Sequence, residues 1–382
     1  MSRIDDLAEQ IRRSKKAGGI TAWQILEPRE ADYADFPVEL HQKIKIALSR
    51  RGITSLYSHQ VEAWQSVADG GNPIVVTPTA SGKTLCYNLP VLHTILNDPD
   101  ARALYIYPTK ALAQDQYHDL LSIIPGLEST IKVGTYDGDT PSDSRKKIRE
   151  QASIVLTNPD MLHAGILPHH SRWNRFFSRL KVVVIDELHH YRGVFGSHFC
   201  NVLRRLNRIC EFHGVHPQFI MSSATLANPA ELASRMICRD VTLINKSGAP
   251  GGKKTFAFYN PPVIDQEGMI RRSYLDETLY FTRLMFNAGV QTIVFMRSRR
   301  NVELLLKELQ KMFDLSPGDP KIRGYRGGYL PGERRQIEED LREGRTRCVI
   351  TTSALELGVD IGDLEAVVMA GYPGTVASTW QR

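Results

Sequence analysis

Ile74-Val75-Val76-Thr77-Pro78-Thr79-Ala80-Ser81-Gly82-Lys83-Thr84 is the stretch from which the rest of the chain can be read. A β-branched run stops at a proline, a tight turn follows, and Gly-Lys-Thr opens a helix. That order suits nucleotide phosphates. Backbone N–H groups of the turn converge on one point, and the helix N-terminus adds partial positive charge. A lysine there reaches the β- and γ-phosphates, and a threonine hydroxyl can ligate Mg²⁺. Thr77 stands where the general G-x-x-x-x-G-K-T pattern has its first glycine. Alone, the stretch also fits an ordinary strand–turn–helix junction, so the segments around it decide.

From Leu56 to about Asn245, short apolar runs alternate with amphipathic ones. Strands are expected at Pro73–Pro78, Ala103–Pro108, Ile131–Thr135, Ser153–Thr157, Lys181–Asp186, Gln218–Ser222 and Val241–Ile244, and helices at Lys110–Ile124, Ser142–Gln151 and Ser197–Phe212. Near-continuous β-branched strands separated by helices imply a parallel sheet covered on both faces, with ligands beyond the carboxyl ends of its strands. The Gly- and Lys-rich run Lys246–Lys254 reads as a linker. The alternation then resumes: helix Arg271–Asn287, strand Gln291–Met296, helix Arg299–Met312, strand Lys321–Arg326, helix Glu333–Glu343, and strands Cys348–Thr352 and Ala366–Ala370. The expected division is a helical extension over 1–55, one α/β domain over 56–248 and a second over 249–382. In the extension, Ile4, Leu7 and Ile11 share one helical face, and Leu40, Ile44, Ala47 and Leu48 another. The basic run Arg12-Arg13-Ser14-Lys15-Lys16 reads as a solvated helix end.

With 42% hydrophobic and 24% charged residues, the 382-residue chain has the composition of a soluble globular protein. No apolar run approaches the roughly 20 residues of a membrane span, and the N-terminus lacks the apolar core of a secretory signal. The expected location is cytoplasmic. Five scattered cysteines, none spaced C-x-x-C, suit reduced thiols better than a disulfide framework or zinc site. A net charge of +6 is compatible with an anionic polymer as partner.

Val182-Val-Val-Ile185-Asp186-Glu187-Leu188-His189 is a buried-type strand delivering two carboxylates at its end. The aspartate can hold Mg²⁺ through water, and the glutamate can orient and deprotonate an attacking water. His189 can link the site to a neighbouring segment. Three further strand ends carry hydroxyls and helix starts: Tyr107-Pro108-Thr109-Lys110, Leu156-Thr157-Asn158-Pro159-Asp160 and Ser222-Ser223-Ala224-Thr225. The first two suit nucleic-acid phosphates, contacts that position a strand without reading its sequence. The third can sense the nucleotide state.

In order and spacing the set resembles the superfamily-two helicases of the DEAD/DEAH-box type. Thr77–Thr84 looks like their motif I, Pro108–Gln114 Ia, Thr157–Met161 Ib, Asp186–His189 motif II (Asp-Glu-Leu-His here) and Ser223–Thr225 motif III. Thr292–Phe295 looks like motif IV, Thr351–Gly362 motif V, and Tyr57-Ser58-His59-Gln60 the adenine-recognising Q motif. The resemblance implies two RecA-like parallel-sheet domains in tandem, with ATP and Mg²⁺ as cofactors. ATP would be held by Gln60 and the loop Thr77, Pro78, Thr79, Ala80, Ser81, Gly82, Lys83 and Thr84 on one side, with Gly358 and Asp360 closing from the other. Lys83, Asp186 and Glu187 would carry catalysis, and Thr84 and Asp186 would hold the metal. Pro108, Thr109, Lys110, Thr157, Arg326 and Thr351 would grip nucleic acid, and His189, Ser223 and Thr225 would couple the sites.

A narrower resemblance is to the bacterial mitomycin-repair-factor-like DNA helicases, which carry a C-terminal zinc-binding region. It rests on Tyr136-Asp-Gly-Asp-Thr140, Ile166-Leu-Pro-His-His170, Tyr191–Ser197 and Gly324–Leu330. It implies movement on single-stranded DNA with 3′→5′ polarity, in DNA repair. The phosphate-gripping motifs do not separate DNA from RNA, so an RNA helicase and a nucleotide-gated binding module stay open. Motif VI of the family, Gln-Arg-x-Gly-Arg-x-Gly-Arg, is represented only by Gln381-Arg382, and the zinc region is absent. The second domain is therefore expected to be truncated, in a chain that binds nucleotide but hydrolyses it slowly.

Overall fold

The computed structural model describes residues 3–14, 16–127, 131–224, 226–355 and 364–382. The chain divides into two compact units, residues 30–251 and residues 1–29 with 252–382.

The first unit is built on seven parallel strands: β1 (Pro73–Val76), β2 (Arg102–Ile106), β3 (Val133–Thr135), β4 (Ile154–Thr157), β5 (Leu180–Ile185), β6 (Gln218–Ser223) and β7 (Thr242–Ile244). Their order across the sheet is β7-β1-β6-β5-β2-β4-β3, all pairs parallel. Because side chains alternate along a strand, both faces must be apolar where both are covered. Val182 and Val184 enter one core with Tyr105, Leu156, Tyr87 and Leu92, while Val183 and Ile185 enter another with Leu104, Val155, Phe199 and Leu203. Every strand of this sheet lies within two residues of its expected ends, and all carboxyl ends share one edge.

The second unit has a four-stranded parallel sheet: β8 (Thr292–Phe295), β9 (Ile322–Tyr325), β10 (Cys348–Thr351) and β11 (Ala366–Met369), ordered β9-β10-β8-β11. Helix Arg299–Met312 covers one face through Val302, Leu305 and Leu309; Ile337 and Leu341 cover the other. Two such sheets bear out the expected tandem of RecA-like domains.

The boundaries differ from those read in the sequence. Residues 20–26 form a strand, not helix or coil, and pair antiparallel with Lys254–Tyr259, from Ile20 opposite Tyr259 to Leu26 opposite Lys254. Leu7 and Ile11 of helix Arg3–Arg13 bury against Val290. The first 29 residues thus pack with the second sheet. Nor is the basic run wholly solvated: Lys16 Nζ donates to the buried Glu277 at 2.6 Å. Tyr259 Oη also donates to Glu277, at 2.9 Å.

Candidate nucleotide and nucleic-acid site

The turn after β1 runs over Thr77–Gly82 and feeds helix Lys83–Asn97. Two of its residues are left-handed, Ala80 at φ +59 and Gly82 at φ +77. Gly82 is fixed by space as well as torsion, because a Cβ there would lie 2.6 Å from Gln60 Nε2. That amide donates to the Gly82 carbonyl at 2.9 Å, while Gln60 Oε1 accepts from Tyr57 N–H at 2.9 Å. Gln60 therefore ties the start of helix Ser58–Ala68 to the turn. Inside the turn the Thr77 and Ser81 hydroxyls are 2.6 Å apart. Lys83 Nζ donates to the carbonyls of Thr77 at 3.0 Å and Pro78 at 2.7 Å. Burial lowers the Lys83 pKa, opposed by the nearby carboxylates of Glu187 and Asp186.

Those carboxylates follow β5. Asp186 is 7% exposed. It accepts from Glu187 N–H at 2.8 Å, Tyr87 Oη at 3.3 Å and the Ser222 hydroxyl. Burial raises its pKa in spite of those donors. Glu187 is left-handed at φ +53, and burial, then the charge of Asp186, push its pKa up to about 8. Among the described residues Glu187 Oε2 is buried without a hydrogen-bond partner. His189 Nδ1 lies 3.2 Å from it and 3.3 Å from Ser223 Oγ. Burial, then the neighbouring His190 and Arg192, push His189 down to about 3, so its imidazole is neutral near pH 7.

The donor set fits a hard divalent cation. Mg²⁺ binds through one or two carboxylates and completes its shell with water and phosphate oxygens. Buried Asp186 beside the Lys83–Thr84 helix start is such a carboxylate.

The remaining expected residues separate into exposed and internal ones. Thr109 caps helix Lys110–Ile123 by accepting from Leu112 N–H at 3.3 Å. Pro108, Thr109 and Lys110 line a groove of about 570 Å³ with Gly138, Asn158 and Asp160. The exposed Lys110 pairs with Asp139 at 3.0 Å. Thr157 is in the core instead, 1% exposed, its hydroxyl donating to the Tyr136 carbonyl at 2.7 Å. Thr351 is likewise buried and donates to the Thr352 carbonyl at 3.0 Å. Both hydroxyls donate within the chain. Arg326 Nε donates to Glu303 at 2.7 Å, with the guanidinium 4.9 Å from the Tyr329 ring. Thr225, Gly358 and Asp360 lie outside the described residues. The sequence reading missed Tyr87, which follows Lys83 by one helical turn, a spacing that puts both on one face.

Residues 57–232 match the DEAD/DEAH box helicase model and residues 272–382 the helicase conserved C-terminal domain. The chain is 53% identical over 376 residues to the ATP-dependent helicase YprA of Bacillus subtilis, covering 98% of this chain and 50% of that one. To the ATP-dependent helicase HRQ1 of Saccharomyces cerevisiae it is 41% identical, over 100% of this chain and 36% of that one. A crystal structure of the helicase MrfA bound to DNA and AMPPNP superposes with a TM-score of 0.93 at 52% identity, covering 99% of this chain and 52% of that one. The chain thus spans about half or less of the length of these relatives. With the Thr77–Gly82 turn, the paired carboxylates and both matched regions in place, the chain belongs to the DEAD/DEAH box helicase family.

Proposed function

We propose that this chain supplies the ATP-driven motor of a DNA helicase that moves 3′→5′ along single-stranded DNA in repair. The observation that carries the reading is the meeting of Lys83 with Asp186 and Glu187 at one sheet edge, where each perturbs the other's protonation. Gln60 would receive adenine, and the Thr77–Thr84 turn the phosphates. Thr84 and Asp186 would hold Mg²⁺, which supplies Lewis-acid neutralisation of phosphate charge. Lys83 would exchange its two loop carbonyls for phosphate oxygens. Glu187, in the carboxylate form that the Lys83 charge favours, would take a proton from water as the water oxygen bonds to the γ-phosphorus. The bond to the bridging oxygen then breaks, ADP leaves with its electron pair, and the proton passes to solvent. Ser223 and His189 would report the carboxylate state, and the Pro108–Lys110 turn would hold the strand. Thr225, Gly358, Asp360 and Arg326 keep their proposed roles. Five free cysteines favour a reducing, cytoplasmic setting.

Linkage gives the test. Single-stranded DNA should tighten binding of a non-hydrolysable ATP analogue, and the analogue should tighten DNA by the same factor. A matched RNA should give a smaller factor. No coupling with either polymer would overturn the motor reading, and a larger factor with RNA would reassign the substrate.

A further inference from the structure

Beside the Pro108–Lys110 groove lies a second cavity of about 480 Å³ that shares Arg145, Ala164 and Gly165 with it. It is walled by Tyr136 and Trp173 and rimmed by Arg145, Arg149 and Arg172. Tyr136 and His169 in its lining belong to the Tyr136–Thr140 and Ile166–His170 segments, sequence signatures that nucleotide chemistry leaves unused. The two aromatic rings are buried and meet edge to face, with centroids 4.8 Å apart, and the Arg145 guanidinium lies over the Tyr136 ring at 5.3 Å, which leaves little ring surface for a base. What the cavity offers is positive charge.

The three arginines are unlike many others in the chain. Arg175 and Arg102 lie near Asp100, Arg235 near Glu231 and Arg345 near Asp340. Among the described residues no carboxylate pairs with Arg145, Arg149 or Arg172. Arg145 is fixed by donating to the carbonyls of Thr140 at 2.9 Å and Asp137 at 3.0 Å, contacts that leave its charge uncancelled. Arg149 is one turn further along the same helix, Ser142–Gln151, and lines the same cavity. Asp139 near the shared wall is already neutralised by Lys110, while Asp143 and Asp160 are exposed.

We infer that this arginine-rimmed cavity is a phosphodiester subsite, extending the strand path from the Lys110 groove. The inference rests on the nucleic-acid reading above. Contacts to phosphate release counterions, and on single strands each changes the slope of log K against log salt by about 0.7. Arg149→Ala with Arg172→Ala should therefore flatten the slope by about 1.4. The double variant should also stop gaining affinity at a shorter oligothymidylate than the unaltered chain does. Fluorescence anisotropy over a ladder of oligothymidylate lengths and salt concentrations reads both. Arg149→Lys with Arg172→Lys keeps the charge and should restore the slope. An unchanged slope and length dependence in the alanine pair, with tight binding by the unaltered chain, overturns this inference alone. Equal losses in the alanine and lysine pairs also overturn it, because packing would then be the cause. No binding by the unaltered chain removes the nucleic-acid reading and this subsite together.

Discussion

Glu187 combines three unfavourable features: left-handed backbone, burial, and a second carboxylate next to it in sequence. A left-handed non-glycine residue costs about 1–2 kcal/mol, and such strain persists where the surroundings over-determine it. Here the strand before it and the Leu188–His190 turn after it do so. Its raised pKa has a definite sign in stability. The folded chain keeps a proton that the unfolded chain has lost, so the pair favours folding below the ordinary carboxylate range. That contribution falls away as pH climbs toward about 8. Urea denaturation between pH 6 and 8 should show stability dropping by up to about 1.4 kcal/mol per pH unit for each proton involved. Glu187→Gln should flatten the profile and raise stability at the alkaline end. Parallel profiles would show that Glu187 ionises normally. The acidic pair and Lys83 were legible in the sequence, because a buried strand rarely ends in two carboxylates. The fates of Thr157 and Thr351 were not. Whether the last residue of a strand points inward depends on its parity within the sheet, which the motif does not show.

At the scale of elements, the strands of both sheets were readable because covered parallel strands are continuously apolar and short. The ribbon of Ile20–Leu26 with Lys254–Tyr259 was not. Ile20-Thr-Ala-Trp-Gln-Ile-Leu26 lacks strict alternation, its residues are only half-buried at best, and its partner lies in the other half of the sequence. The Lys16–Glu277 contact belongs with that ribbon. Burial alone would raise the Glu277 pKa, but hydrogen bonds from Lys16 and Tyr259, and the charges of Lys16 and Arg272, bring it below its ordinary value. Lys16→Met removes the nearest cation from a buried carboxylate that keeps Arg272 at 3.5 Å and the Tyr259 hydroxyl, and should cost about 1.5–3 kcal/mol in urea denaturation. A loss under about 1 kcal/mol would place the pair among surface ion pairs. The turn after β1 carries a second prediction. Gly82→Ala forces a Cβ into Gln60 and keeps a strained φ, so it should cost about 1–2 kcal/mol of stability and weaken nucleotide binding. Unchanged values for both would mean that the turn relaxes freely.

Across the whole molecule, one arrangement repeats: parallel strands feed helices, and chemistry gathers where strands end. In the first unit Lys83, Asp186, Glu187 and Ser223, the groups proposed to serve the nucleotide, lie on one edge of the sheet, at the ends of β1, β5 and β6. Its nucleic-acid candidates follow β2 and β4 at that same edge. In a parallel sheet all carboxyl ends fall together, so the helicase motifs can be far apart in sequence and neighbours in space. The Thr77–Thr84 turn is proposed to hold a triphosphate through Lys83. Equilibrium titration of the unaltered chain and of Lys83→Ala with a fluorescent, non-hydrolysable ATP analogue in Mg²⁺ tests it most directly. Saturable binding by the unaltered chain, weakened at least about tenfold in the variant (about 1.4 kcal/mol), is the predicted result. Equal affinities, or no binding by the unaltered chain, would contradict it.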